Sequence, residues 1–180
     1  MSFNIRETRL RNNLRKVREL VDNSDLIELV RTEGNPPDKY HIRYTCRSVE
    51  KVDSKGSPHL REVHEVSIYL HAEYPIKQPQ LKWLTPIFHP NIHNTGAVCI
   101  GAWWPAKTLD ELILTMGDMI QFKNYDPKDP MNSKAAAWAL RNKQRFPIDD
   151  RELKGVIQAW TDDIVIGMSE DADDLDIKIL

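Results

Sequence analysis

Between His89 and Cys99 the chain reads His89-Pro90-Asn91-Ile92-His93-Asn94-Thr95-Gly96-Ala97-Val98-Cys99. Two imidazoles, a carboxamide and a thiol in one short stretch admit a metal site, a cysteine hydrolase or an inert buried cysteine. Structural zinc takes four ligands. His89 and His93 are four apart, but Pro90 prevents a clean helix between them, and the chain has no CxxC pair. A cysteine hydrolase sets a histidine base beside the thiol. His89 or His93 has the right chemistry, yet no recognisable protease signature surrounds Cys99. The only other cysteine, Cys46, lies on the apolar side of an alternating stretch and reads as a core residue.

The elements that must position this stretch follow from periodicity. Leu10, Leu14, Val17 and Val21 recur at helical spacing after a capping-box pair, Asn4 and Glu7, and predict a first helix. Leu26, Ile27, Leu29 and Val30 suggest a first strand. Tyr40, Ile42, Tyr44 and Cys46 alternate with polar residues, as do Val66, Ile68 and Leu70, with turns at Asn35-Pro36-Pro37-Asp38 and Ser54-Lys55-Gly56-Ser57-Pro58. Leu81 and Trp83 predict a last short strand, and the proline-punctuated remainder of 84–107 a long loop. A second helix starts at Thr108, capped with Glu111, and carries Leu109, Leu112, Ile113, Met116 and Ile120 to the core. A third runs from Asn132 or Ser133 through Leu140. A fourth is expected after Pro147, with Leu153, Val156, Ile157 and Trp160 on one face. The order predicts an α+β fold: N-terminal helix, four-stranded antiparallel meander, long active-site loop, C-terminal helices.

The chain has 180 residues and 41% hydrophobic residues, enough for one domain with a real core. Twenty-five basic against 27 acidic residues leave a net charge of −2, which argues against charge-driven binding of nucleic acid. No apolar run approaches the ~20 residues of a membrane span. Two cysteines build no disulfide framework and no signal peptide precedes the chain, so a cytoplasmic setting is expected. Charge is segregated. Residues 1–22 carry Arg6, Arg9, Arg11, Arg15, Lys16 and Arg18, whereas residues 161–180 carry seven acids and Lys178.

Five segments together resemble the ubiquitin-conjugating enzyme family. Tyr74-Pro75-Ile76-Lys77-Gln78-Pro79-Gln80-Leu81 resembles its strand-to-loop segment, and His89-Pro90-Asn91 its histidine–proline–asparagine motif. Cys99 follows Asn91 at the family's spacing to its cysteine. Trp104-Pro105-Ala106-Lys107-Thr108-Leu109 is similar to the start of its next helix, and Asp126-Pro127-Lys128-Asp129-Pro130-Met131 to its acidic loop. The resemblance implies that Cys99 accepts the C-terminus of ubiquitin or a ubiquitin-like protein from an activating enzyme and passes it to a substrate amine or a ligase. An ordinary thiol is a few per cent thiolate at neutral pH and already a good nucleophile, so thioester exchange needs no histidine base. The resemblance further implies that Asn91 either donates to the oxyanion or braces the loop, that His89 holds the loop by hydrogen bonds, and that Asp129 orients the incoming lysine. It makes Arg6, Arg9, Arg15 and Lys16 a docking face for the activating enzyme. No metal or cofactor is implied, and the chain carries no ATP-binding loop.

Departures from the family pattern are also visible. The stretch from Cys99 to Trp104 is short, Gly101 stands where many members have an acid or asparagine, and the acidic tail has no family match. They point to a divergent branch, for which stand-alone prokaryotic relatives in conjugation or antiviral-defence operons are one candidate. The expected division is a catalytic domain at 1–160 and an acidic tail at 161–180, where Ile164-Val165-Ile166 suits addition to a partner's sheet edge. A catalytically inactive scaffold that binds a modifier or partner is the alternative, and the presence of Cys99 argues against it.

Overall fold

The computed structural model describes residues 5–155. Helix α1, Ile5–Asp22, leads into strands β1, Ile27–Gly34, β2, Pro37–Val52, β3, Pro58–Tyr69, and β4, Gln80–Trp83, followed by helices α2, Leu109–Ile120, and α3, Ser133–Arg141. The strands pair in chain order as one antiparallel sheet, β1-β2-β3-β4, so the meander is as expected. Among the described residues no helix is long and apolar enough to cross a membrane.

Period-two patterning decides which face of the sheet is covered. Tyr40, Ile42, Tyr44 and Cys46 of β2, and Val66 and Ile68 of β3, point inward and are buried. Against them lies α2, whose Leu109, Leu112, Ile113, Met116 and Ile120 are fully buried. The Tyr44 hydroxyl donates to the Ile113 carbonyl at 2.8 Å, satisfying a polar atom inside the core. Gly117 lets α2 approach closely: a Cβ there would stand 2.4 Å from Leu153 Cδ1. The Thr108 N–H donates to the Glu111 carboxylate at 2.8 Å at the start of α2, and Asn132 accepts from the Ala135 N–H at the start of α3.

Three expectations need adjusting. The buried stripe of α1 is Leu10, Asn13, Val17 and Leu20, so Leu14 and Val21 are half-buried at its flank. The reason is Asn13, whose side chain donates to the Tyr74 hydroxyl at 3.0 Å and turns the helix toward the 70–76 loop. The first strand runs on to Gly34 because β2 offers partners that far. The helix expected after Pro147 does not begin at Leu153. Asp149 turns the chain there, accepting from the Arg47 and Arg151 N–H groups, and Leu153 is buried from an irregular segment. Asn4, Val156, Ile157, Trp160, the boundary at 160 and the tail lie outside the described residues.

Candidate active site

The loop between β4 and α2 is held to the sheet at its base. The Trp83 N–H donates to the Gly96 carbonyl at 2.8 Å. Gly96 has φ 87, and a Cβ on it would stand 2.3 Å from the Trp83 oxygen, so this close crossing requires glycine. Beyond it, isolated bridges join His89 to Ile92 and Ile92 to Val98, folding the motif back on itself.

Each motif residue has a defined task. His89 is fully buried. Its Nδ1 accepts from the Asn91 N–H at 3.1 Å, and its Nε2 pairs with the Met119 carbonyl at 2.9 Å. Both nitrogens are therefore spent on holding the loop to α2. Burial pushes the imidazole pKa down to about 3, against a small opposing effect of the Met119 hydrogen bond, so the ring stays neutral. Pro90 contributes its carbonyl, which accepts from the Met131 and Asn132 N–H groups at 2.9 and 3.0 Å. Asn91 is buried, and its amide clamps Asp126 from both sides. Nδ2 donates to the Asp126 carbonyl at 2.7 Å and Oδ1 accepts from the Asp126 N–H at 2.8 Å. The Asn91 carbonyl accepts from the Cys99 N–H at 2.9 Å. Asn91 thus ties the cysteine strand and the 126–132 loop to one point.

An open cleft of about 190 Å³ results, lined by Asn91, Cys99, Thr115, Tyr125, Asp126 and Asp129 among others. Cys99 is partly accessible and unpaired, whereas Cys46 is wholly buried and burial pushes its thiol up to about 12. The structure therefore brings Cys99, Asn91 and Asp129 into one cleft and leaves His89 beneath it. Among the described residues no histidine lines this cleft. His93 instead pairs with Thr95 at 2.8 Å.

The ubiquitin-conjugating enzyme family model matches residues 41–152, which include most of β2, all of β3 and β4, the cleft, α2 and α3. The chain belongs to that family. Among similar proteins is "Ubiquitin-conjugating enzyme E2 13" of Saccharomyces cerevisiae, 28% identical over 120 residues, 64% of this chain and 76% of that protein. Another is "Ubiquitin-conjugating enzyme E2 T" of Bos taurus, 29% identical over 99 residues, 51% of this chain and 50% of that protein. The chain thus matches about half the length of the bovine protein. The solved structure of S. cerevisiae Ubc12 superposes with a TM-score of 0.58 at 23% identity, covering 82% of this chain and 78% of that one, which supports the ubiquitin-conjugating fold.

In this family member the basic face of α1 divides into two sets. Arg6 donates to the Leu70 and His71 carbonyls at 2.7 and 2.8 Å, and Arg9 to the Lys107 carbonyl at 2.7 Å. These two guanidiniums fasten α1 to the segment after β3 and to the end of the loop that carries Cys99. Arg15 pairs with Glu19 across one helical turn at 2.5 Å and is exposed, and Lys16 is half-buried beside it. Trp103 completes the clamp, donating from its indole to the Pro75 carbonyl at 2.8 Å.

Two residues at the site escape sequence reasoning. Phe122, two residues past the end of α2, has φ 60, a left-handed conformation that costs a non-glycine residue about 1–2 kcal/mol. Its ring is buried and packs 4.6 Å from the His89 ring and 4.5 Å from Phe146, so apolar burial offsets that strain. Tyr125 lines the cleft one residue before the acidic segment. Adjacency to Asp126 was the one signal for Tyr125, and Phe122 had none, since the type of residue there argues against a positive φ.

Proposed function

We propose that the protein carries ubiquitin or a ubiquitin-like protein as a thioester on Cys99. The Cys99 thiolate attacks the carbonyl of the thioester on an activating enzyme, and that enzyme's thiolate departs. An amine of the substrate, or a cysteine of a ligase, then attacks the new thioester. Cys99 leaves as thiolate, and when the acceptor is an amine its surplus proton goes to solvent. The observation that carries this reading is the joint presence of an accessible Cys99, a braced Asn91 and an exposed Asp129 on one cleft. Thioester exchange conserves bond type and needs positioning more than acid–base power. A cleft without a histidine suits it.

Asn91 acts in this reading mainly as a brace, since both ends of its amide are occupied by Asp126. Asp129 stands at the lip, where a carboxylate draws in and orients a lysine ammonium. Arg15 and Lys16 form the remaining cationic face toward the activating enzyme. Ile76 and Trp104 are exposed on the two loops fastened to α1 and offer apolar contact to a ligase.

A two-stage assay tests the proposal. Charging of Cys99 is followed first, then discharge of the purified thioester to free lysine. Asp129→Ala is expected to charge at the wild-type rate and to discharge about tenfold more slowly. Equal discharge rates would remove Asp129 from the site, and absence of charging in the wild-type protein would defeat the carrier reading.

A further inference from the structure

We propose that Tyr125 forms the acceptor wall of the cleft, against which the stem and ammonium of an incoming lysine lie as its amine reaches the Cys99 thioester. The proposal rests on the carrier reading and names how that site selects its acceptor. Tyr125 and Cys99 line the same cleft, with Asp126 and Asp129 on it as well. The tyrosine is half-buried, so part of it is fixed and part faces the opening.

The fixed part is well anchored. The ring meets Phe122 at 5.2 Å and Phe146 at 5.3 Å between centroids, both edge to face, and His89 at 6.4 Å. Phe122 is itself held in its left-handed conformation by the packing described above. On the other side, the next residue, Asp126, has its N–H and carbonyl both clamped by Asn91. The wall is therefore in place before any acceptor arrives, which lowers the entropy lost on binding.

Lysine matches this wall better than other amines. Its methylene stem covers apolar ring surface, its ammonium is attracted to the electron-rich face of an aromatic ring, and a carboxylate at the lip receives the charge. Burial holds the Tyr125 phenol above its ordinary range, so the wall carries no charge of its own, and Asp129 supplies the attraction. A small nucleophile without a stem has nothing to lay against the ring.

The test compares acceptors. The full chain is loaded at Cys99 from a preformed thioester of ubiquitin with mercaptoethanesulfonate, and discharge is timed against L-lysine and against hydroxylamine. Tyr125→Ala is expected to raise the lysine concentration needed for half-maximal discharge roughly three- to fivefold while leaving the hydroxylamine rate within about twofold. Tyr125→Phe is expected to keep the wild-type preference, since the ring makes the contact. Tyr125→Leu, which fills the aromatic cluster without a π face, guards against loss of folding and is expected to weaken lysine selectively as well. Equal slowing of both acceptors, or no change in either, would overturn the acceptor wall while leaving the carrier reading intact. Failure of the wild-type protein to load would overturn the carrier reading, and the wall with it.

Discussion

At the scale of single residues, the site separates holding from reacting. His89 has the type expected of a base and the surroundings of a strut, buried and bonded at both nitrogens. Asn91 satisfies both backbone groups of Asp126. Removing one partner of a buried hydrogen bond costs about 1–3 kcal/mol because the other is left unsatisfied. Asn91→Ala is therefore expected to lower stability by about 1–3 kcal/mol in chemical denaturation, as well as slowing transfer. Asn91→Asp keeps the acceptor for the Asp126 N–H but faces the Asp126 carbonyl with a second oxygen, so it is expected to restore less than half of that loss. A full transfer defect with unchanged stability would instead assign the amide to the oxyanion. The motif's residue types were legible in the sequence, and so was its spacing to Cys99. The choice between brace and oxyanion donor was not, because it depends on where the Asp126 backbone passes.

At the scale of elements, α1 and α2 are tied to the site by different means. α2 delivers Met119 and Thr115 to the cleft and anchors His89 through the Met119 carbonyl. α1 reaches it through Arg6 and Arg9, which grip the 70–71 and 105–107 backbone. Periodicity revealed both helices and the core face of α2. It mistook the α1 stripe by one position, since Asn13 looks like a surface residue until Tyr74 is seen to cap it. The basic run likewise looked uniform, although two of its arginines are structural. Reversal of Arg15 and Lys16, Arg15→Glu with Lys16→Glu, is expected to slow charging severalfold at low salt, and less at 0.5 M salt, with only the small loss of melting temperature that follows from breaking the Arg15–Glu19 pair. Arg6→Ala is expected to do the opposite, lowering the melting temperature by a few degrees with little change in charging rate. If the Arg15 and Lys16 reversals charge normally, the activating enzyme docks elsewhere.

At the scale of the whole molecule, two buried imidazoles couple stability to pH. Burial pushes His89 to about 3 and His64 to about 4, the latter against an opposing hydrogen bond to the Arg61 backbone. An unfolded histidine titrates near 6.5, so below that pH the unfolded chain gains protons that the native protein refuses. Stability is full above pH 6.5 and falls as the pH drops toward 4, by about 2 kcal/mol per histidine between pH 7.5 and 5. Asp149 adds nothing in that window. Its burial pushes the carboxyl up, but the Arg151 guanidinium and the Arg47 and Arg151 N–H groups hold it well below the usual range, and its contribution is lost only in stronger acid. His64→Phe is therefore expected to flatten the pH 5–7.5 slope by about half, and an unchanged slope would show that His64 does not contribute to it. The α+β order and the meander were readable from patterning, and the cleft's acidic rim from the resemblance of 126–131 to the family's acidic loop. That Leu153 is buried from an irregular segment was not, because the apolar stripe that begins there carries no sign that Asp149 turns the chain before it. The central claim, a thioester on Cys99, is tested most directly with tagged full chain and ATP in lysate of the source organism, resolved on reduced and non-reduced gels beside Cys99→Ala and Cys46→Ala. A larger band that a thiol reagent removes, present for wild type and Cys46→Ala and missing for Cys99→Ala, is the predicted result. A band that persists in Cys99→Ala, or none from the folded wild-type protein, would contradict it.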